Sequence, residues 1–241
     1  MSEKLNAIKT LRRLPIAAKI CRDLAIAADQ QLEVFRYLGY PAGAAPKKGI
    51  ADRIAATIAE ALPLLRPRGV FALYHIEDRT SHSLTLSGAT ISGGIGEFLS
   101  EARRVAVFVV TAGIEISDRA HSDSKSGDTF SAWVMDAVGS WAAESAADAL
   151  MLQLRPHLGE NEELTLRYSP GYCGMELALQ RNLFRLVDAT SIGVRLSPTM
   201  LMHPLKSISG LVGLAPKEAV DRHRSPCDLC PRTGCHMRRA S

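Results

Sequence analysis

Residues 167–213, RYSPGYCGMELALQRNLFRLVDATSIGVRLSPTMLMHPLKSISGLVG, decide the reading of this chain. The stretch opens on the end of a strand expected over Leu164 to Tyr168 and bends at Ser169-Pro170-Gly171-Tyr172. Pro-Gly at the centre of a four-residue segment makes a tight turn and exposes backbone. A helix is expected over Leu177 to Leu186, then a strand over Ile192 to Leu196, then a proline-bearing loop and a last strand over Ser207 to Leu214. Strands and helices alternate here without the strict βαβ rhythm of a doubly wound sheet. The expected class is therefore α+β: one mixed domain with a largely antiparallel sheet packed against helices.

The rest of the chain extends this reading. Residues 4 to 38 are expected to be rich in helix, with Leu24, Ile26, Leu32, Phe35 and Leu38 at helical spacing, ending at Gly39 and Pro41. A second helix is expected over Ile50 to Leu65. Gly69 to Ile76 (GVFALYHI) and Arg104 to Val110 (RVAVFVV) read as strands, the latter buried, because they are rich in β-branched and aromatic residues. Leu84 to Ile91 is expected to be one further strand, Gly96 to Ala102 a short helix, and Thr111 to Gly127 mostly loop. Asp128 to Leu154 is the longest helix, with Phe130, Val134, Ala137, Val138, Trp141, Ala149 and Leu152 on one face. After Ala215 the apolar pattern stops, which divides the chain into a domain over 1–221 and a Cys-rich tail over 222–241.

Composition excludes several classes. The net charge of +4 collects at the ends of the chain, and aromatics make up only 5%. A nucleic-acid surface would more often interleave a continuous basic face with aromatics. The most apolar early stretch, Leu14 to Ala28, contains Lys19, Arg22 and Asp23, so it reads as an amphipathic helix and not as a secretory signal. No apolar run approaches the length of a membrane span, and the expected location is cytoplasmic. Five cysteines, an odd number with three crowded into the last fifteen residues, argue against a disulfide framework.

Candidate binding residues gather at the bend. Arg167 offers a planar fork of donors to a carboxylate, and Tyr172 offers an aromatic plate with a hydroxyl tip. The same residues also suit a plain structural turn in which Arg167 pairs with a carboxylate of the protein itself. Gly93-Gly94-Ile95-Gly96 precedes a helix and invites an anion, but it lacks the Lys-Ser/Thr of a phosphate loop.

The Arg167-Tyr168-Ser169-Pro170-Gly171-Tyr172 run, Gln180 and the segment Met202-x-Pro-x-Lys-Ser-x-Ser-Gly together resemble the activation domain of cobalamin-dependent methionine synthase. The chain is more similar still to the free-standing, single-domain relatives of that domain. The likeness spans roughly residues 35 to 235, with Thr111-Ala112-Gly113 and Gly127-Asp128 among its denser parts. It implies S-adenosylmethionine as ligand, with Arg167, Ser169 and Tyr172 in the ligand-contacting loop and Glu144 as a further contact from the acidic helix 136–150. Asp148 lies one turn beyond Glu144 on the same face. It implies a corrinoid (cobalamin-binding) protein as partner and a low-potential electron donor such as a flavodoxin or ferredoxin. The segment Ser197 to Gly210 would close the site and face that partner. Met200 and Met202 read more simply as adaptable core residues, and His203 as a loop residue. Two departures stand out. Cys173-Gly174-Met175-Glu176 replaces a Pro-Asp-His run of the fused domain, and Ala215 to Ala219 lacks its ligand-contacting tyrosine.

Cys227-x2-Cys230-x4-Cys235 has the compact spacing of a metal or cluster site, with Pro226, Pro231 and Gly234 supplying turns. Zinc with a fourth ligand (His223, His236 or Cys173) and an iron–sulfur cluster both fit three thiolates. The electron delivery implied by the resemblance favours the cluster. Cys21 reads as a buried apolar residue in a helix.

The function this implies is reductive activation of a corrinoid methyltransferase or methionine synthase, by remethylation from S-adenosylmethionine. Such a protein contributes mainly by positioning, and no side chain is assigned a catalytic role. Two other classes remain open. One is a non-catalytic iron–sulfur or zinc adaptor that docks on a corrinoid protein; the other is a methyltransferase acting on a small substrate.

Overall fold

A computed structural model describes residues 14–26, 33–41, 44, 46–172, 174–221, 228 and 234. In chain order the elements begin with strand β1 (Ala17–Cys21), helices α1 (Glu33–Tyr37) and α2 (Lys48–Ala61), and strands β2 (Arg68–His75), β3 (Asp78–Thr80), β4 (Ser83–Leu86) and β5 (Ala89–Ser92). Helix α3 (Ile95–Phe98), strand β6 (Arg104–Thr111), helices α4 (Glu115–Ser126) and α5 (Thr129–Leu154), and strand β7 (Glu162–Leu164) follow. Helix α6 (Gln180–Leu186) and strands β8 (Arg195–Leu196), β9 (Met202–His203) and β10 (Ser207–Pro216) complete the described body.

The main sheet runs β1-β2-β6-β10-β7, and every pairing in it is antiparallel. Its central strands are buried on both faces: Val105 to Thr111 show almost no exposed surface. That explains their unbroken apolar sequence, which a one-sided antiparallel strand would not need. One face, carrying Phe71, Leu73, Phe108, Val110 and Val212, packs on Ala146, Leu150 and Leu154 of α5. A helical layer of α1, α2 and α4 covers the other side of α5 through Val34, Ile54, Ile58 and Ile116. The opposite sheet face, with Val70, Val107, Val109 and Leu211, is closed by the small β3-β4-β5 sheet, α3 and α6 through Leu84, Ile91, Phe98 and Leu183.

The α+β expectation, with a largely antiparallel sheet against helices, is met. Several local expectations are not. The stretch Leu14 to Ala28 does not form an amphipathic helix where it is described; Ala17–Cys21 is the edge strand, paired in register from Ala17 with Leu73 to Cys21 with Gly69. Residues 4–13 and 27–32 of the expected helical stretch lie outside the described residues. Leu84 to Ile91 is a hairpin and not one strand, turning at Ser87-Gly88, both at positive φ. Thr111 to Gly127 is not mostly loop: it holds the twelve-residue α4, which ends at Gly127 in the left-handed conformation (φ 88°). Of the strand expected over Ile192 to Leu196, only Arg195–Leu196 is extended. Cys21 is buried as expected, though in a strand, and burial pushes its thiol pKa up against a smaller opposing effect of Lys19.

The glycines around α3 have a packing role. A Cβ on Gly96 would sit 2.0 Å from the Thr80 carbonyl oxygen, and one on Gly93 would sit 2.7 Å from the Met175 Cα. The small sheet and the segment after the bend therefore approach α3 more closely than any side chain permits. A four-residue helix also offers too little aligned backbone to bind an anion, so the anion reading of Gly93 to Gly96 is set aside.

Candidate functional site

Helix α5 determines what the site can be. Its N-cap is Asp128, whose side chain accepts from Ser131 N–H. Instead of the single apolar face expected from its sequence, it is buried on nearly all sides, because sheet and helices sandwich it. The strip left open carries Asp136, Ser140, Glu144 and Asp148, spaced four residues apart. Residues at i and i+4 stack along one face, so four polar groups line up across the open strip of a largely apolar helix.

Two cations from distant parts of the chain reach this strip. Arg167 donates from Nη2 to Glu144 Oε2 at 2.9 Å and from Nη1 to Asp148 Oδ1 at 2.6 Å. Lys206 donates from Nζ to Ser140 Oγ at 2.9 Å and pairs with Asp136 Oδ1 at 2.7 Å. The Lys206 methylenes lie directly over Gly139, where a Cβ would come within 2.8 Å of Cγ. The backbone carbonyl of Lys206 accepts from Ala112 N–H at 2.8 Å, tying the loop after β6 into the same corner.

The bend that delivers Arg167 is held by β10. Leu211 and Tyr168 exchange backbone hydrogen bonds at 2.8 and 2.9 Å, and Thr165 N–H donates to the Gly213 carbonyl at 2.9 Å. A Cβ on Gly210 would sit 2.9 Å from the Tyr168 carbonyl oxygen, so this glycine lets the bend lie against the strand. Tyr168 is fully buried, its ring centroid 5.1 Å from that of Phe98. The chain then turns: Tyr172 N–H donates to the Ser169 carbonyl at 3.1 Å, with Pro170 at the second position and Gly171 at φ 91° at the third. That is the pattern of a type II turn, in which the third position requires glycine. Tyr172 emerges 47% exposed, its ring 6.3 Å from that of Tyr168.

The sequence-derived residues thus divide. Glu144 and Arg167 are brought into direct contact, and Ser169 and Tyr172 follow Arg167 in the same turn. The ion-pair alternative for Arg167 is realised in this structure, and its partners are two of the three acids of the expected ligand helix, Glu144 and Asp148. Met202 packs at the edge of the core, and Met200 adopts a positive φ of 66° in the loop. His203 is exposed and precedes Pro204 through a cis peptide bond. Tyr168, Lys206, Asp136 and Ser140 are the residues that sequence reasoning left unassigned. The four-residue spacing from Asp136 to Asp148 was the available signal. A small cavity of about 50 Å³ lies beside the bend, lined by Thr165, Leu166, Phe98, Ala215 and Val220 among others.

Cys227, Cys230 and Cys235 lie outside the described residues, as do Cys173, His223 and His236. Among the described residues no group of three His, Cys, Asp or Glu side chains is placed to hold a metal. No helix among them is long and apolar enough to cross a membrane.

Chemically, the cluster joins one guanidinium to two carboxylates and so carries one negative charge in excess. It offers donors for a carboxylate and acceptors for a cation within one helical turn. Fold and site together define a class: an antiparallel α+β domain that presents an arginine–acid cluster at the edge of its sheet. Residues 97–220 match the sequence model of the family described as vitamin B12 dependent methionine synthase, activation domain, and the chain belongs to that family. A solved structure described as "Crystal Structure of the MetH Reactivation Domain bound to AdoHcy" is similar in fold. It aligns with a TM-score of 0.63 at 17% identity, over 89% of this chain and 83% of that one. No curated protein sequence matches the chain.

Proposed function

We propose that this protein reactivates a corrinoid-dependent methyltransferase, or a methionine synthase, by presenting S-adenosylmethionine to the partner's cobalt. The observation that carries this reading is the contact of Arg167 with Glu144 and Asp148, assembled from two separate segments in a chain of the activation-domain family. The similar MetH reactivation domain was solved with AdoHcy, the product of such a transfer.

In this reading Arg167 anchors the carboxylate of the methyl donor through its fork of N–H groups. Glu144 accepts from the ligand's ammonium, the Ser169 turn supports the ligand's backbone-facing edge, and Tyr172 walls its adenosine side. The excess negative charge of the cluster favours a ligand whose sulfonium makes it a net cation. The methyl group leaves the sulfonium sulfur as a cation equivalent, and the S–CH3 electron pair stays behind as the thioether of S-adenosylhomocysteine. The nucleophile is the partner's corrinoid, made ready by one electron from a low-potential donor of the flavodoxin or ferredoxin type. Because Tyr172, Glu144 and Arg167 are all partly exposed here, exclusion of water depends on the docked partner. The protein's contribution is orientation, which alone supplies large rate factors.

Calorimetric titration tests the reading: S-adenosylmethionine is expected to bind the isolated protein with one-to-one stoichiometry. No heat and no thermal stabilisation at millimolar ligand would refute it.

The division into a domain over 1–221 and a tail over 222–241 belongs to the same proposal. Cys227, Cys230 and Cys235 are proposed to hold an iron–sulfur cluster, or zinc with a fourth ligand, on the strength of their spacing alone. Protein purified without oxygen is expected to carry iron and acid-labile sulfide that disappear in the triple Cys→Ser variant. Stoichiometric zinc without sulfide would select the zinc alternative, and neither metal would dismiss the site.

A further inference from the structure

We infer that Asp148 limits the affinity for amino-acid-bearing ligands by occupying, on Arg167, the position that a ligand carboxylate takes; this rests on the proposed role of Arg167 as anchor. The two acids around the guanidinium are not equivalent. Glu144 side chain is 33% exposed and Asp148 side chain 69%, while the Arg167 side chain between them is 20% exposed. Nη2 is therefore tied to the sheltered acid and Nη1 to the one facing solvent.

A carboxylate arriving from solvent meets the Nη1 edge first, and there it finds the Asp148 oxygen at 2.6 Å. Exposed ion pairs are weak and easily broken. Asp148 nevertheless sits on the same fold as Arg167, four residues from Glu144 on a rigid helix, so its effective concentration is high. Only the fraction of molecules with Nη1 free accepts the ligand, and apparent affinity falls by that fraction.

The exchange concerns one class of ligand only. Once displaced, the Asp148 carboxylate has lost its cation and is open to a new one. A zwitterionic α-amino acid end provides both charges: its carboxylate replaces Asp148 on Arg167 and its ammonium compensates the acids. A nucleoside lacking that end gains nothing from the exchange. Asp148 thus holds down affinity for adenosine compounds that carry an amino-acid moiety and leaves affinity for those without one unchanged.

The test compares wild type, Asp148→Ala and Asp148→Glu by calorimetric titration with S-adenosylmethionine, S-adenosylhomocysteine and 5′-methylthioadenosine. Alanine is well tolerated at an exposed helix position, so the fold is retained. Removal of the competitor is expected to tighten both amino-acid ligands about fivefold, the factor matching loss of one exposed ion pair. Affinity for 5′-methylthioadenosine stays unchanged, and Asp148→Glu behaves close to wild type. Equal or weaker binding of the amino-acid ligands by Asp148→Ala, or an equal gain for 5′-methylthioadenosine, overturns the inference while leaving wild-type binding intact. Failure of all three proteins to bind S-adenosylmethionine overturns the anchoring role of Arg167 and this inference with it.

Discussion

Arg167→Ala is expected to weaken S-adenosylmethionine binding by about thirtyfold or more, equivalent to about 2 kcal/mol at the low end of the cost of removing one partner from a hydrogen-bonded charge pair. Two effects add. The ligand carboxylate loses its fork of donors, and Glu144 and Asp148, left without their cation, repel that carboxylate. Arg167→Lys retains charge without the planar fork and should fall between the two. Folding stability is a separate quantity and should change by less than about 1 kcal/mol, because the pairs are partly exposed and screened. Titration calorimetry and thermal melts on the same samples separate the two readouts. Unaltered affinity in a well-folded alanine variant would exclude Arg167 as the anchor.

The second large effect falls on the neighbouring residue and on a different observable. Tyr168→Ala removes a fully buried ring packed on Phe98. Truncation of a buried aromatic costs about 3–5 kcal/mol, which for a protein of this size lowers Tm by roughly 10 °C. The cavity opens beneath the bend that aims Arg167, so ligand affinity should fall with it. Tyr168→Phe is a milder change: the hydroxyl donates to the Tyr172 carbonyl only at 3.4 Å, so about 1 kcal/mol or less is expected. Tyr172, half exposed, should tolerate alanine with little loss of stability while affecting binding. A Tyr168→Ala protein that melts like wild type would show that β10 alone carries the bend.

Two tyrosines four residues apart thus have opposite environments, and although the sequence put Tyr172 in the ligand loop and Tyr168 at a strand end, it did not show that Tyr168 is buried. Both stand in the same run of motif residues. Which one is buried follows from the pairing of Tyr168 with Leu211, a contact across 43 residues of chain that no local pattern encodes. The edge strand Ala17–Cys21 escaped for a similar reason. Its residues AAKIC have weak preference, and β2 supplies the hydrogen bonds that make it extended. Helix α4 escaped because it is polar, with Ile116 its one buried residue. Its support comes from charge pairs instead, Arg119 with Asp123 and with Glu60 of α2, and ion pairs leave no apolar period to read. The central strands β2 and β6 and helix α5 were legible, since continuous burial demands continuous apolar sequence.

For the site, sequence alone determined the inventory: an arginine before a Pro-Gly turn, a lysine before a Ser-x-Ser-Gly strand, and acids four residues apart along one helix. Those features are local, set by turn chemistry and by the 3.6-residue period of the α-helix. Tertiary structure decided the pairing. The register of β10 against the bend and the rotation of α5 over the sheet bring Arg167 to Glu144 and Asp148, and Lys206 to Asp136 and Ser140. Charges attract whatever opposite charge the packed core brings within reach, so partner choice belongs to the packing of the apolar layers beneath them.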